Sequence, residues 1–135
     1  MIRTKIIEIL IRNFSKSRPE QKNLRKYLIN NKEHNCIICD KHLPLCLLEA
    51  AHLKPRCLCK SVERLDKNNV ELMCNYCHHL YDNALLGVKE SNLMISNIVK
   101  SYDLCYERKY IKAYNELNKR YFDYHFENIF KNKNK

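Results

Sequence analysis

The chain has 135 residues, 45% of them hydrophobic and 30% charged, enough apolar matter for one folded domain and hardly a second. One glycine and three prolines argue against a turn-rich β sandwich or barrel, and no apolar run approaches the roughly 18 residues of a membrane span. The formal net charge is +10, with nine basic against three acidic residues over 1–35, seven against seven over 36–95 and nine against five over 96–135. A neutral centre between basic flanks suits a polyanionic partner, nucleic acid first, although a lysine-rich solvated surface has the same composition. The opening residues are not followed by a small-residue cleavage site, so the expectation is a soluble, intracellular protein, cytoplasmic or nucleoid-associated, with no membrane partner.

In chain order, Ile2, Ile6, Ile9, Leu10 and Phe14 recur at helical spacing and predict an amphipathic helix over 2–14. Ser17, Pro19 and Glu20 then read as the start of a second helix, with a capping box and a proline in the first turn. Leu24, Tyr27 and Leu28 form its apolar face, and it ends near Asn30 and Asn31. The apolar run from Leu45 to Leu53 predicts a strand leading into a loop at Pro55, and Val70–Met73 a second strand. A short helix is expected over Tyr76–Leu86, and a further strand at Leu93–Ser96. An aromatic stripe from Tyr106 to Ile129 predicts one long helix over roughly 101–130, followed by a solvated tail at 131–135.

Eight cysteines stand at 36, 39, 46, 57, 59, 74, 77 and 105. Without a secretion signal, a disulfide framework is the weaker reading. Cys36 with Cys39, and Cys74 with Cys77, have the spacing by which one tight turn presents two thiolates to one ion; two such turns complete a tetrahedral zinc site. Cys57 and Cys59 are the competing pair for that duty. The 34 residues between the two turns must form structure of their own.

Inside this cysteine-bounded middle lie three chemical features. His52 stands at a strand end, Asn69 precedes the second strand, and His78 and Asp82 fall i and i+4 on a helix, where imidazole and carboxylate can share one cation. A lone histidine is usually an ordinary polar residue, but the four residues together are a constellation.

The segment Leu48-Glu49-Ala50-Ala51-His52-Leu53-Lys54-Pro55, with Asn69-Val70-Glu71-Leu72 and His78-His79-Leu80-Tyr81-Asp82, resembles the HNH nucleases. The nearest branch also carries the pattern matched by Arg18, Gln21, Leu24 and Arg25, the cysteine pairs, and a closing helix similar to Tyr121–Phe130. The resemblance spans roughly 18–130. It implies an α+β fold: a ββα-metal module over 34–96 pinned by a four-cysteine zinc site, between a basic helical extension at 1–33 and a C-terminal helix at 97–130.

By that resemblance His52 is the general base that activates water, and Asn69 holds the loop that orients it. His78 and Asp82 ligate a catalytic Mg²⁺ or Mn²⁺, while Cys36, Cys39, Cys74 and Cys77 hold structural Zn²⁺. Lys54, Arg56 and Arg64 are the candidate phosphate contacts. The implied activity is phosphodiester hydrolysis by an endonuclease, with DNA as partner; a homodimer would suit double-strand cutting. Many relatives have Asp or His immediately before the base, where this chain has Ala51; Glu49, on the same strand face, is a candidate to compensate, and His79 an alternative to His78. The competing readings are a zinc-stabilised nucleic-acid-binding module without catalysis and a zinc-stabilised protein-interaction domain.

Overall fold

The computed structural model describes residues 19–104, 106 and 109–135. The expected helix over 2–14, the Ser17 cap, Arg18 and Cys105 lie outside the described residues. The element order is α1 (Pro19–Asn31), β1 (Leu48–His52), α2 (Ser61–Arg64), β2 (Val70–Cys74), α3 (Asn75–Asp82), β3 (Leu86–Lys89), β4 (Asn92–Ile95), α4 (Lys119–His125) and α5 (Lys131–Lys133). Helices and two small antiparallel sheets make an α+β fold. Among the described residues no helix is long and apolar enough to cross a membrane.

Strands β1 and β2 pair in a single register, from Leu48 opposite Cys74 to His52 opposite Val70. All five residues of β2 and all of β1 but Glu49 are buried, because α1 and α3 both pack on the pair. That two-sided burial explains why these strands read as continuous apolar runs instead of alternating. Both free edges are covered. Gln21 of α1 donates Nε2–H to the Ala50 carbonyl at 2.7 Å, and the Ile37 amide donates to the Leu72 carbonyl at 3.0 Å. An edge strand left bare would offer those groups to another chain.

Helix α3 ends at Asp82, four residues before the expected Leu86. Ala84 takes a left-handed conformation (φ 59°), and the Leu85 amide closes the helix on the Leu80 carbonyl at 2.9 Å. The chain then enters the β3–β4 hairpin, whose turn residues Glu90 and Ser91 both have positive φ. Gly87 lies in β3 because Phe130 sits over it; a Cβ there would be 3.0 Å from Phe130 Cγ.

The C-terminal third corrects the sequence reading. A helix begins at Lys119, not near 101; the described residues ahead of it include a 3-10 turn at Val99–Ser101 and an extended residue, Tyr110, bridged to Asn92. The cause is local: the Asn118 side-chain amide donates to the Ala113 carbonyl (2.7 Å) and its oxygen accepts from the Asn115 amide (2.8 Å). Such side-chain bonds offer the backbone an alternative to helix. After α4 the helix widens to a π-helical turn at Phe126–Phe130 and resumes as α5. Nor is 131–135 a free tail, since Asn134 donates to the Ala84 carbonyl at 2.8 Å.

Glu71, on β2 opposite Ala51, is 7% exposed. Burial pushes its carboxyl up to about 7, against the opposing pull of Lys32 and the Asn118 amide. An acid whose pKa is higher folded than unfolded weakens the fold as pH rises, here from about 4.5 through 7. Glu71→Gln is therefore expected to exceed the native protein in stability at pH 8, by up to about 3 kcal/mol. The difference should vanish near the ordinary carboxylate pKa of 4.5, as followed by denaturant unfolding at the two pH values.

Candidate functional site

The four thiols of Cys36, Cys39, Cys74 and Cys77 lie within 4.8 Å of one another, the one cluster of this kind among the described residues. The first two come from a knuckle in which Asp40 takes a left-handed conformation (φ 63°) and its amide returns to the Cys36 carbonyl at 2.8 Å. The other two stand where β2 turns into α3. Cys74 caps that helix, its sulfur accepting from the Cys77 amide at 3.3 Å. Crowded thiols share protons unevenly: the hydrogen bond from Cys77 draws Cys36 down to about 5 against burial, while the same pairing and then burial drive Cys77 far up. Burial raises Cys39 to about 11. Four converging sulfurs, one already favouring thiolate, are a donor set that can hold a metal such as zinc. Cys57 and Cys59 are not in the cluster; Cys59 hydrogen-bonds Lys54 and Pro55 carbonyls and Asn69.

His52 ends β1 and is 7% exposed. Its Nε2 lies 3.1 Å from the Arg64 carbonyl. A carbonyl has no proton to give, so Nε2 carries the hydrogen and Nδ1 keeps the lone pair. Burial, partly offset by the Arg64 carbonyl, holds the imidazole below its usual 6.5 and so keeps it neutral at pH 7.

Asn69 is fully buried and spans the loop that carries Arg64. Its Oδ1 accepts from the Lys54 amide at 2.9 Å, and its Nδ2 donates to the Glu63 carbonyl at 3.0 Å and the Cys59 sulfur at 3.3 Å. Its own carbonyl accepts from the Leu53 amide at 2.8 Å. One side chain thus joins the residues beside the histidine to the residue before Arg64.

His78 stands between two carboxylates, with Nδ1 2.9 Å from Glu49 Oε1 and Nε2 3.1 Å from Asp82 Oδ2. Burial opposes a charge on His78, but the hydrogen bonds and charges of Asp82 and then Glu49 outweigh it and lift the ring to about 9. An imidazolium held by two acids on opposite ring edges marks a place that attracts positive charge, and the donor set of His78 and Asp82 fits a divalent cation. Asp82 is also among the charges acting on His52.

The basic candidates are already partnered. Lys54 pairs with Glu63 at 3.0 Å and lies over the Tyr124 ring at 4.3 Å; Arg56 pairs with Glu20; Arg64 donates to the neutral Ser61 hydroxyl at 3.2 Å. In the sequence Tyr81 stands within the segment that resembles the HNH nucleases and His125 within its closing helix, neither with a role of its own. In the structure the Tyr81 hydroxyl donates to the Leu53 carbonyl at 2.7 Å, and its ring stacks on His125 at 3.6 Å. A tyrosine between His78 and Asp82 in sequence was the available signal.

No curated protein matches the chain. The family model described as HNH endonuclease matches residues 36–89. That segment holds the four clustered cysteines, His52, Asn69, His78 and Asp82, and the match supports a nuclease-type function. Over residues 36–89 the chain is thus similar to the HNH endonuclease family.

Proposed function

We propose that the protein is a metal-dependent endonuclease that hydrolyses phosphodiester bonds in DNA. The observation that carries this reading is the freed lone pair on His52 Nδ1, produced by the bond of Nε2 to the Arg64 carbonyl within a loop tied by Asn69. A pure binding module has no need of a neutral, oriented imidazole. In the proposed step His52 Nδ1 takes a proton from water as that water attacks the scissile phosphorus. The Arg64 carbonyl then stabilises the imidazolium, and Asn69 prevents the ring from turning. Glu49 accepts Nδ1–H of His78, which leaves Nε2, on the Asp82 side, as the metal-facing nitrogen. A Mg²⁺ or Mn²⁺ held by His78 and Asp82 would supply charge to offset that developing on the phosphate and the leaving 3′ oxygen. Arg64, held by a neutral hydroxyl, is the most readily available phosphate contact; Lys54 and Arg56 would have to exchange a carboxylate for one.

Structural Zn²⁺ belongs to the same reading, at Cys36, Cys39, Cys74 and Cys77. Zinc-finger peptides gain on the order of 10–16 kcal/mol from their metal, so removal should unfold this domain. Elemental analysis is expected to find one zinc per chain, and a strong chelator to abolish the helical circular dichroism. A folded, zinc-free preparation would reject the assignment.

His52→Ala should keep zinc content and DNA affinity while single-turnover cleavage falls at least roughly 100-fold. Because a base works only when unprotonated and burial lowers this pKa, native cleavage should be lost as pH falls through a value below 6.5 and be flat above neutrality. A midpoint well above 6.5 would contradict the neutral buried base.

Replacing His78 or Asp82 by Ala should abolish cleavage and weaken Mn²⁺ binding, measured by titration calorimetry, without loss of zinc. Full activity in either variant would remove that residue from the metal site.

A further inference from the structure

The residues that position His52 are themselves positioned from outside the matched segment. Asp66 lies two residues beyond Arg64 and three before Asn69. Its Oδ1 accepts from the Asn68 amide at 2.9 Å, and its carbonyl accepts from the Asn69 amide at 3.0 Å, so it closes the turn Lys67–Asn69. The other carboxylate oxygen, Oδ2, is gripped by α4: the Tyr121 hydroxyl donates at 2.5 Å and Arg120 Nη2 at 2.9 Å. Tyr121 is 1% exposed, and its oxygen accepts from Arg120 at 2.7 Å. Burial opposes the Asp66 charge, but the bonds from Tyr121, the Asn68 amide and Arg120 hold it below the usual carboxylate range, so it is ionised at neutral pH. One turn further along α4, Tyr124 lies against Lys54 and His125 against Tyr81, whose hydroxyl bonds the Leu53 carbonyl, so the helix also braces the segment that follows His52.

We propose that Asp66 is a positioning residue for His52: held by Tyr121 and Arg120, it fixes the turn before Asn69 and thereby the Arg64 carbonyl that orients the imidazole. Asp66 acts through the loop and touches no reacting atom. This proposal rests on the assignment of His52 as the base, but its central readout does not require cleavage.

The test compares Asp66→Ala, Asp66→Asn and Tyr121→Phe in the full-length, zinc-loaded protein. The ring nitrogens of His52 are followed by ¹⁵N magnetic resonance through a pH titration, beside melting temperature and single-turnover cleavage of a DNA duplex. In Asp66→Ala the Arg64 carbonyl, which raises the His52 pKa against burial, should leave the ring, so the pKa should fall further below 6.5 and the single-tautomer signature should be lost. The maximal cleavage rate should fall about tenfold or more at unchanged half-saturating DNA concentration, as expected for a misplaced group. Asp66→Asn, which keeps an acceptor for the Asn68 amide, should restore most of both. Tyr121→Phe, the variant least prone to unfold, should show the same direction in smaller measure. An unaltered His52 titration and tautomer in folded Asp66→Ala or Tyr121→Phe would overturn the proposal. So would a rate loss fully accounted for by the unfolded fraction. If native protein cuts no DNA, the nuclease reading fails, while the His52 titration still decides whether Asp66 positions the ring.

Discussion

The corner at which β2 becomes α3 is fixed by the convergence of four thiols, and the geometry of the candidate site follows from that corner. Cys74 ends the strand and caps the helix, and Cys77 is adjacent to His78. The helix therefore leaves the corner in a set direction, with His78 and Asp82 one turn apart on the side toward Glu49 and His52. The knuckle at Cys36–Cys39 docks on the same corner and lends its Ile37 amide to the edge of β2. In a domain of this size a metal held by these four thiols would cross-link the corner and replace area that burial alone would have to supply.

A second tie is made of hydrogen bonds alone. Buried amides are costly unless satisfied, and Asn69 has partners for both ends of its side chain inside the loop it organises. The loop between β1 and β2 is thereby as determined as the strands, although its regular structure is only the four-residue α2 and two 3-10 turns. Helix α4 completes the frame from the far end of the chain through Asp66, Lys54 and Tyr81.

Much of this was legible beforehand because its signals are local. The cysteine pairs, the two buried strands and the i, i+4 pair on α3 each depend on residues within a few positions. The start of the last helix was not legible, since an aromatic stripe at helical spacing outweighed Asn115 and Asn118, whose side chains unmake the helix by bonding the backbone. Strand β3 is four residues long and owes its place to Phe130, forty-three residues after Gly87. The charges of Lys54 and Arg56 suggested free phosphate contacts; only the folded chain brings Glu63 and Glu20 to them. The bond from Tyr121 to Asp66 spans 55 positions and has no pattern in a linear reading.

The pairing of β1 with β2 also works as a ruler. Its one end is fixed at Cys74 and its other end delivers His52, with five residues in each strand. Side chains alternate faces along a strand, so inserting or deleting one residue in β1 would turn the imidazole to the opposite side of the sheet while leaving the cysteine corner intact. The 17 residues from Leu53 to Asn69 are under a different rule: the Asn69 side chain bonds Lys54, Cys59 and Glu63 across them. A change in the length of β1 therefore disturbs the site more directly than a side-chain exchange that keeps the register.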